Sequence, residues 1–133
     1  MASLAATTIA TSKLFDPNKI KLVSFGQPRT GDDNYAALVD STIPYVFRVV
    51  HKADIVPAYP LNVSIIYDYS HHKSEVWFNN EMSVEDSWIE CDEDDSWECS
   101  RSVRPHHIED HFYYFGVTIG MANSSCKKRN PYI

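Results

Sequence analysis

The stretch YVFRVVHKADIVPAYP, residues 45–60, decides how this chain folds. Its first seven residues, 45–51, are mostly aromatic or β-branched, a composition that favours a β-strand. Asp54 follows, and Pro57 prevents the strand from continuing beyond it. A carboxylate at this point stands where open parallel α/β sheets build their sites. The stretch therefore predicts a strand that delivers Asp54 to the carboxyl edge of a sheet, although a turn aspartate can also serve only to cap nearby backbone amides.

The residues before this strand alternate between helical and extended patterns. Leu4, Ile9 and Leu14 recur at roughly helical spacing and predict a first helix. The run IKLVSF, residues 20–25, is typical of a strand buried on both faces, and residues 34–40 again show helical spacing. The order helix, strand, helix, strand predicts two adjacent parallel strands, because crossover connections are right-handed.

The pattern weakens after residue 60. SEVWF, residues 74–78, predicts a last strand, and residues 108–120 predict a terminal helix led by two acids. Between them, residues 81–98 hold nine acids and no basic residue, which predicts a solvated loop. Three apolar side chains are the predicted anchors of this loop: Val84, Trp88 and Ile89.

Composition excludes several classes of function. The chain has 133 residues, 44% of them hydrophobic, which suits one globular domain. Its formal charge of −6 argues against nucleic acid, which needs clustered Lys and Arg. No run reaches the roughly 18 apolar residues of a transmembrane helix. The first fifteen residues also lack the basic start and continuous apolar core of a signal peptide.

The three cysteines leave two interpretations open. All three could be buried thiols, or Cys91 and Cys99 could close a loop as a disulfide, with Cys126 left over or paired to something upstream. Two Asn-X-Ser sequons, at Asn62 and Asn123, are possible glycosylation sites. Together these features favour an oxidising compartment.

Metal binding is a further hypothesis with a weaker pattern behind it. Five histidines and two cysteines do not have the spacing of a zinc template; they are His71, His72, His106, His107, His111, Cys91 and Cys99. The acidic run CDEDDSWEC, residues 91–99, lacks the ligand ladder of a calcium loop. We therefore expect no metal and no cofactor.

His111, in the run IEDHFYYFG, is the second candidate for chemistry. A serine hydroxyl is a poor nucleophile until a neutral imidazole takes its proton, and a buried carboxylate orients that imidazole. Asp54 followed by His111 matches the later members of a Ser…Asp…His order. The alternative role for His111 is that of a packed or solvated histidine. No G-x-S-x-G nucleophile motif occurs in the sequence.

Five separated blocks, in this order, resemble the C-terminal half of class 3 (fungal-type) lipases. The blocks are SFGQPRTGD (24–32), RVVHKADIVPAYP (48–60), YSHHKSEVWF (69–78), the loop from Cys91 through Cys99 ending in CSRS, and IEDHFYYFG (108–116). The resemblance covers roughly residues 1–120 and leaves 121–133 as a C-terminal tail. It implies the C-terminal part of an α/β-hydrolase fold, an incomplete parallel sheet flanked by helices.

The resemblance also implies a site and an activity. Asp54 would be the acid and His111 the base of a Ser-Asp-His triad that hydrolyses carboxylic esters of lipids, triacylglycerol-type, at an oil–water interface. Cys91 and Cys99 match a disulfide loop of secreted members, so the full-length protein is expected outside the cell. Lys73 departs from the family pattern, which often has glycine there.

The family's nucleophile elbow, lid and oxyanion-hole donors precede a small-residue helix that ASLAA resembles. We therefore expect Met1 to fall just after the elbow, and the chain alone to be inactive. The alternative function is a non-catalytic lipase-like fragment that binds lipid or a partner protein.

Overall fold

The structure, a computed structural model, describes residues 1–62 and 68–118. Its main feature is a sheet of four strands in sequence order: β1 (Lys21–Phe25), β2 (Tyr45–His51), β3 (Glu75–Phe78) and β4 (Ile89–Cys91). The first three strands are parallel, and β4 runs antiparallel to β3. The predicted strands at 45–51 and 74–78, and the parallel pairing of the first two strands, are confirmed.

Two helices, α1 (Ala2–Thr11) and α2 (Asp33–Thr42), cover one face of β1 and β2. The paired strand residues Leu22 and Val46 form a buried cluster with helix residues that include Val39. The side chain of Asp32 accepts a 2.9 Å hydrogen bond from the Tyr35 N–H and so caps α2.

The buried face of α1 is not the one that its large apolar residues suggest. Its buried residues are Ser3, Thr7 and Ala10, whereas Leu4 and Ile9 are 43% and 40% exposed. Leu14 lies beyond the helix. Small side chains at i, i+4 and i+7 let α1 approach its neighbours closely, and Thr7 satisfies its hydroxyl within the helix by donating to the Ser3 carbonyl.

The prediction that β1 is buried on both faces is wrong. Among the described residues β1 is also the edge strand of the sheet. Leu22 is buried under the helices, but Val23 and Phe25 on the other face are 42% and 49% exposed. A parallel strand becomes buried on both faces only where layers cover both sides. Here one side of β1 is covered.

The acidic loop is anchored by its cysteines. Val84, Trp88 and Ile89, the predicted anchors, are all exposed. Instead Cys91 and Cys99 form a disulfide, are both buried, and pack against Trp77 and Val50. The sequence also did not indicate β4, a strand of only three residues.

The predicted helix over residues 108–120 is wrong as far as residue 118, where the described structure ends. A single 3₁₀ turn, Glu109–Phe112, is followed by a hairpin of β5 (Tyr113–Tyr114) and β6 (Val117–Thr118). Phe115 and Gly116 connect the strands with φ angles of 49° and 78°. Two successive positive φ angles with glycine second are what a tight hairpin requires, and aromatic neighbours favour strands over helix.

Within residues 1–62 and 68–118, the structure contains no helix with the length and apolarity needed to cross a membrane. The predictions for Asn123, Cys126 and the tail 121–133 concern residues outside these described ranges.

Candidate active site

Asp54 lies just past the carboxyl end of β2, the position expected from the sequence. Its N–H donates to the carbonyl of His51, the last residue of the strand, at 3.0 Å. A 3₁₀ turn at Val56–Ala58, which contains Pro57, then leads the chain away. The acid is 2% exposed, so its charge depends on protein donors.

Three donors satisfy the Asp54 carboxylate. Oδ1 accepts a 2.8 Å hydrogen bond from the Val56 N–H. Oδ2 accepts from the Tyr114 hydroxyl at 2.8 Å and from Nδ1 of His111 at 2.9 Å. The acid therefore caps its own turn and also binds a histidine 57 residues away in sequence.

His111 presents one ring nitrogen to the acid and is otherwise partly open to solvent. Nδ1 faces a carboxylate oxygen, an acceptor, so this nitrogen carries the proton and Nε2 is the basic one in the neutral ring. No hydrogen bond to Nε2 is found within the described ranges, and the side chain is 29% exposed. The imidazole is thus arranged to accept a proton from an outside group.

Tyr114 is a fixed donor to the acid and was not assigned a role from the sequence. Burial raises the pKa of its phenol, and the adjacent Asp54 charge raises it further. The hydroxyl therefore remains protonated at any ordinary working pH. The aromatic cluster after His111 was the visible signal, but it did not reveal which ring would reach the acid.

Gly26 packs against the hydrogen bond between acid and histidine. It follows β1 with φ +55°, and a Cβ at this position would lie 2.6 Å from both Asp54 Oδ2 and His111 Nδ1. Only a residue without a side chain fits here. A glycine directly after a strand was the available signal.

Backbone pairing joins the segment before His111 to the loop of Asp54. The His107 N–H donates to the Ala53 carbonyl at 2.8 Å, and the Ile55 N–H donates to the His107 carbonyl at 3.2 Å. The Asp110 carboxylate accepts from the Ala53 N–H at 3.1 Å. Asp54 and His111 are therefore positioned by the same short ladder.

A second polar cluster lies inside the protein around Arg48, which is fully buried in β2. Its guanidinium donates to the His72 carbonyl at 2.7 Å and to Glu75 Oε2 at 3.4 Å. Burial lowers the pKa of Arg48, while Glu75 opposes this effect. Such a buried pair is costly to break because one charge is left alone.

His72 belongs to the same cluster and is neutral. Nδ1 donates to the Lys73 carbonyl at 2.6 Å, so Nε2 is the acceptor for the Gln27 amide at 3.0 Å. Burial lowers the pKa of His72 to about 4, in agreement with this tautomer. Within residues 1–62 and 68–118, no three histidine, cysteine or acidic side chains are grouped as metal ligands.

A cavity of about 250 Å³ borders the Asp54 loop, but His111 does not line it. Its walls include Arg29, which forms an ion pair with Asp95, and the buried His71. The cavity therefore does not expose the basic nitrogen, and the open side of His111 lies elsewhere.

Comparison with known proteins gives consistent similarities. Residues 1–64 match the family described as Lipase (class 3). A lipase of Caenorhabditis elegans is 30% identical in an alignment of 150 residues, and the alignment covers 90% of this chain and 42% of that protein. A secreted mono- and diacylglycerol lipase of Fusarium solani is 33% identical over 76 residues, covering 56% of this chain and 22% of that protein.

The structural similarity extends over most of the chain. The triacylglyceride lipase of Rhizomucor miehei superimposes with a TM-score of 0.77 and 30% identity, covering 89% of this chain and 44% of that one. The expected architecture, part of an α/β-hydrolase fold with a mostly parallel sheet and flanking helices, is confirmed. The chain spans less than half the length of the proteins with which it is compared here.

Proposed function

Because this chain belongs to the class 3 lipase family, we propose that it supplies the acid and the base of a Ser-His-Asp triad for lipid ester hydrolysis. The observation that carries the proposal is the 2.9 Å hydrogen bond between Asp54 and His111, with Nε2 left open. Residues 1–120 would be the C-terminal half of the lipase domain, and 121–133 its tail. The serine would come from a nucleophile elbow N-terminal to these residues in the whole protein.

The mechanism follows from the geometry of the pair. His111 Nε2 takes the proton of the serine hydroxyl as the serine oxygen attacks the ester carbonyl, and Asp54 stabilises the resulting imidazolium. When the tetrahedral intermediate collapses, His111 gives the proton to the leaving alcohol. Water then attacks the acyl-serine, His111 accepts its proton and returns it to the serine, and the fatty acid leaves.

The proposed substrates are water-insoluble esters of triacylglycerol type, met at an oil–water interface. The triacylglyceride lipase of Rhizomucor miehei supports this class of substrate. We also propose that the whole protein is extracellular. The secreted Fusarium relative, the Cys91–Cys99 disulfide and the exposed side chain of Asn62, the first residue of a sequon, support this location.

The proposal is tested on the whole protein with an emulsified triacylglycerol and a soluble nitrophenyl ester. Asp54→Asn should lower kcat by about 10⁴-fold and His111→Ala by about 10⁶-fold, as the loss of the corresponding triad member does. His107→Gln is the matched control, because its side chain is exposed and only its backbone supports the site. Full activity in His111→Ala would overturn the assignment.

A fluorophosphonate probe locates the nucleophile independently. The probe should label one serine, and peptide mapping should place it N-terminal to the residues described here. Labelling of a serine within these 133 residues would contradict the proposed division of the triad. An unlabelled, inactive protein that still binds triacylglycerol emulsions would favour the alternative, a non-catalytic lipid-binding relative.

A further inference from the structure

We propose that His51 is a positioning residue, which sets the approach of His111 to Asp54 through the backbone of Asp110. The proposal rests on the function proposed above. It assigns a role to a buried histidine that the proton-transfer steps do not use.

His51 is the last residue of β2 and is 2% exposed. Its Nδ1 lies 3.0 Å from the Asp110 carbonyl oxygen, and its Nε2 lies 3.0 Å from the Asn80 carbonyl oxygen. Both partners are acceptors, so a ring nitrogen forms a hydrogen bond to its carbonyl only when it carries a proton. In this proposal the proton of the neutral ring lies on Nδ1, which faces Asp110.

The Nδ1 contact acts on the catalytic pair because Asp110 directly precedes His111. The same residue also accepts the Ala53 N–H through its carboxylate. Asp110 therefore contacts two residues of the turn that leads from β2 to Asp54: its carbonyl lies next to the His51 ring, and its carboxylate accepts the Ala53 N–H. The rings of Tyr113 and Tyr114 pack on His51, with centroids 5.5 and 6.0 Å away, and shield these bonds from water.

Loss of the Nδ1 bond would free the peptide between Asp110 and His111 to shift. A displacement of about 1 Å in a catalytic group can cost roughly a hundredfold in rate. The contact from Nε2 to Asn80 ties His51 to the segment after β3, which does not carry a triad residue. The two ring nitrogens therefore have separable roles, and Nδ1 is the one that matters for catalysis.

Two amide variants separate these roles. In His51→Asn the amide nitrogen occupies the region of Nδ1, and in His51→Gln it occupies the region of Nε2. In the whole protein, His51→Gln should lower kcat by about a hundredfold with little change in KM. His51→Asn should remain within about fivefold of the wild type, since it retains the donor to Asp110.

The split between kcat and KM is a readout that a merely structural role would not give. A misplaced base slows proton transfer but leaves substrate binding unchanged, so the loss in His51→Gln should appear in kcat and not in KM. In His51→Asn both constants should stay close to those of the wild type. Equal kcat values in the two variants would overturn the proposal.

The Nδ1 proton of His111, observed by NMR in the folded protein, gives a test without activity. Its hydrogen-bonded resonance should be present in the wild type and in His51→Asn, and absent in His51→Gln; its retention in all three would contradict the proposal.

If His51→Gln does not fold, His51→Asn decides alone, because a hundredfold loss of kcat in that variant would overturn the proposal. Activity that survives His111→Ala would instead refute the proposed function and leave the NMR result to stand on its own.

Discussion

The hydroxyl of Tyr114 donates a 2.8 Å hydrogen bond to Oδ2 of Asp54, the same oxygen that faces His111. The acid is therefore held by a donor 60 residues later in the sequence. Because burial and the Asp54 charge raise the pKa of Tyr114, this donor does not titrate in the working range. The carboxylate keeps its orientation whatever the protonation state of the histidine.

Tyr114→Phe should weaken both stability and catalysis, since it removes one donor from a buried charge. We expect the free energy of unfolding to fall by about 2 kcal/mol, the range for a hydrogen bond to a charged group. We expect kcat to fall roughly tenfold, because each 1.4 kcal/mol of lost transition-state stabilisation costs a factor of ten. Tyr113→Phe is the control, since no hydrogen bond to the Tyr113 hydroxyl is found in the described part of the chain. Identical kcat values for the two variants would rule out a role of the Tyr114 hydroxyl.

Gly26→Ala should separate the acid from the histidine. The added Cβ would lie 2.6 Å from atoms of both Asp54 and His111, so one of them must move. We expect kcat to fall about a hundredfold. Gly116→Ala is the matched control, because Gly116 also has a positive φ, +78°, but a Cβ there meets nothing within 4 Å. Both variants should lose about 1 kcal/mol of stability to backbone strain, and an equal loss of activity in both would refute the steric argument.

His72 should make the protein less stable in acid. Its folded pKa of about 4 lies below the ordinary value of 6.5, so the unfolded chain binds the proton more readily. The contribution to stability is complete above pH 6.5 and is lost as pH falls toward 4. The loss amounts to roughly 3 kcal/mol at most.

His72→Gln should flatten this dependence, because glutamine can still accept from Gln27 but does not titrate. The measurement is urea unfolding of the whole protein and the variant between pH 4 and 8. The slope of the free energy of unfolding against pH above pH 7 serves as the internal control and should be the same in the wild type and in His72→Gln. An unchanged slope between pH 6.5 and 4 would show that His72 is not responsible.

Removal of the disulfide should lower stability without removing the hydrogen bond between Asp54 and His111. The bond between Cys91 and Cys99 closes a loop with a sequence separation of eight, for which loop-closure entropy predicts about 2–3 kcal/mol. The double variant Cys91→Ala/Cys99→Ala should therefore unfold at lower temperature. A reductant should lower the melting temperature of the wild type and have no effect on the variant. A wild type insensitive to reductant would indicate that the bond does not contribute.

Much of the fold was predictable because it depends on local patterns. The β-branched and aromatic run at 45–51 favours a strand, and this strand places Asp54, which follows it, at the carboxyl edge of the sheet. The predicted helix over 108–120 is wrong as far as residue 118, because the acids at its start favour a helix while the turn at Gly116 and its aromatic neighbours favour a hairpin. Tertiary contacts decided between two local preferences of similar strength.

The sequence by itself determined the residue types of the candidate site and their order along the chain: an acid after a strand, a histidine before an aromatic cluster, and two cysteines eight residues apart. Only the tertiary structure decided which other groups contact and position these residues. Gly26 and Tyr114 contact Asp54 or His111, and the His51 ring contacts the carbonyl of Asp110, the residue before His111. These contacts span long sequence separations, and spacing along a chain does not encode distances between groups brought together by folding. Burial then gives these contacts their strength, since hydrogen bonds to a charge matter most where water is excluded.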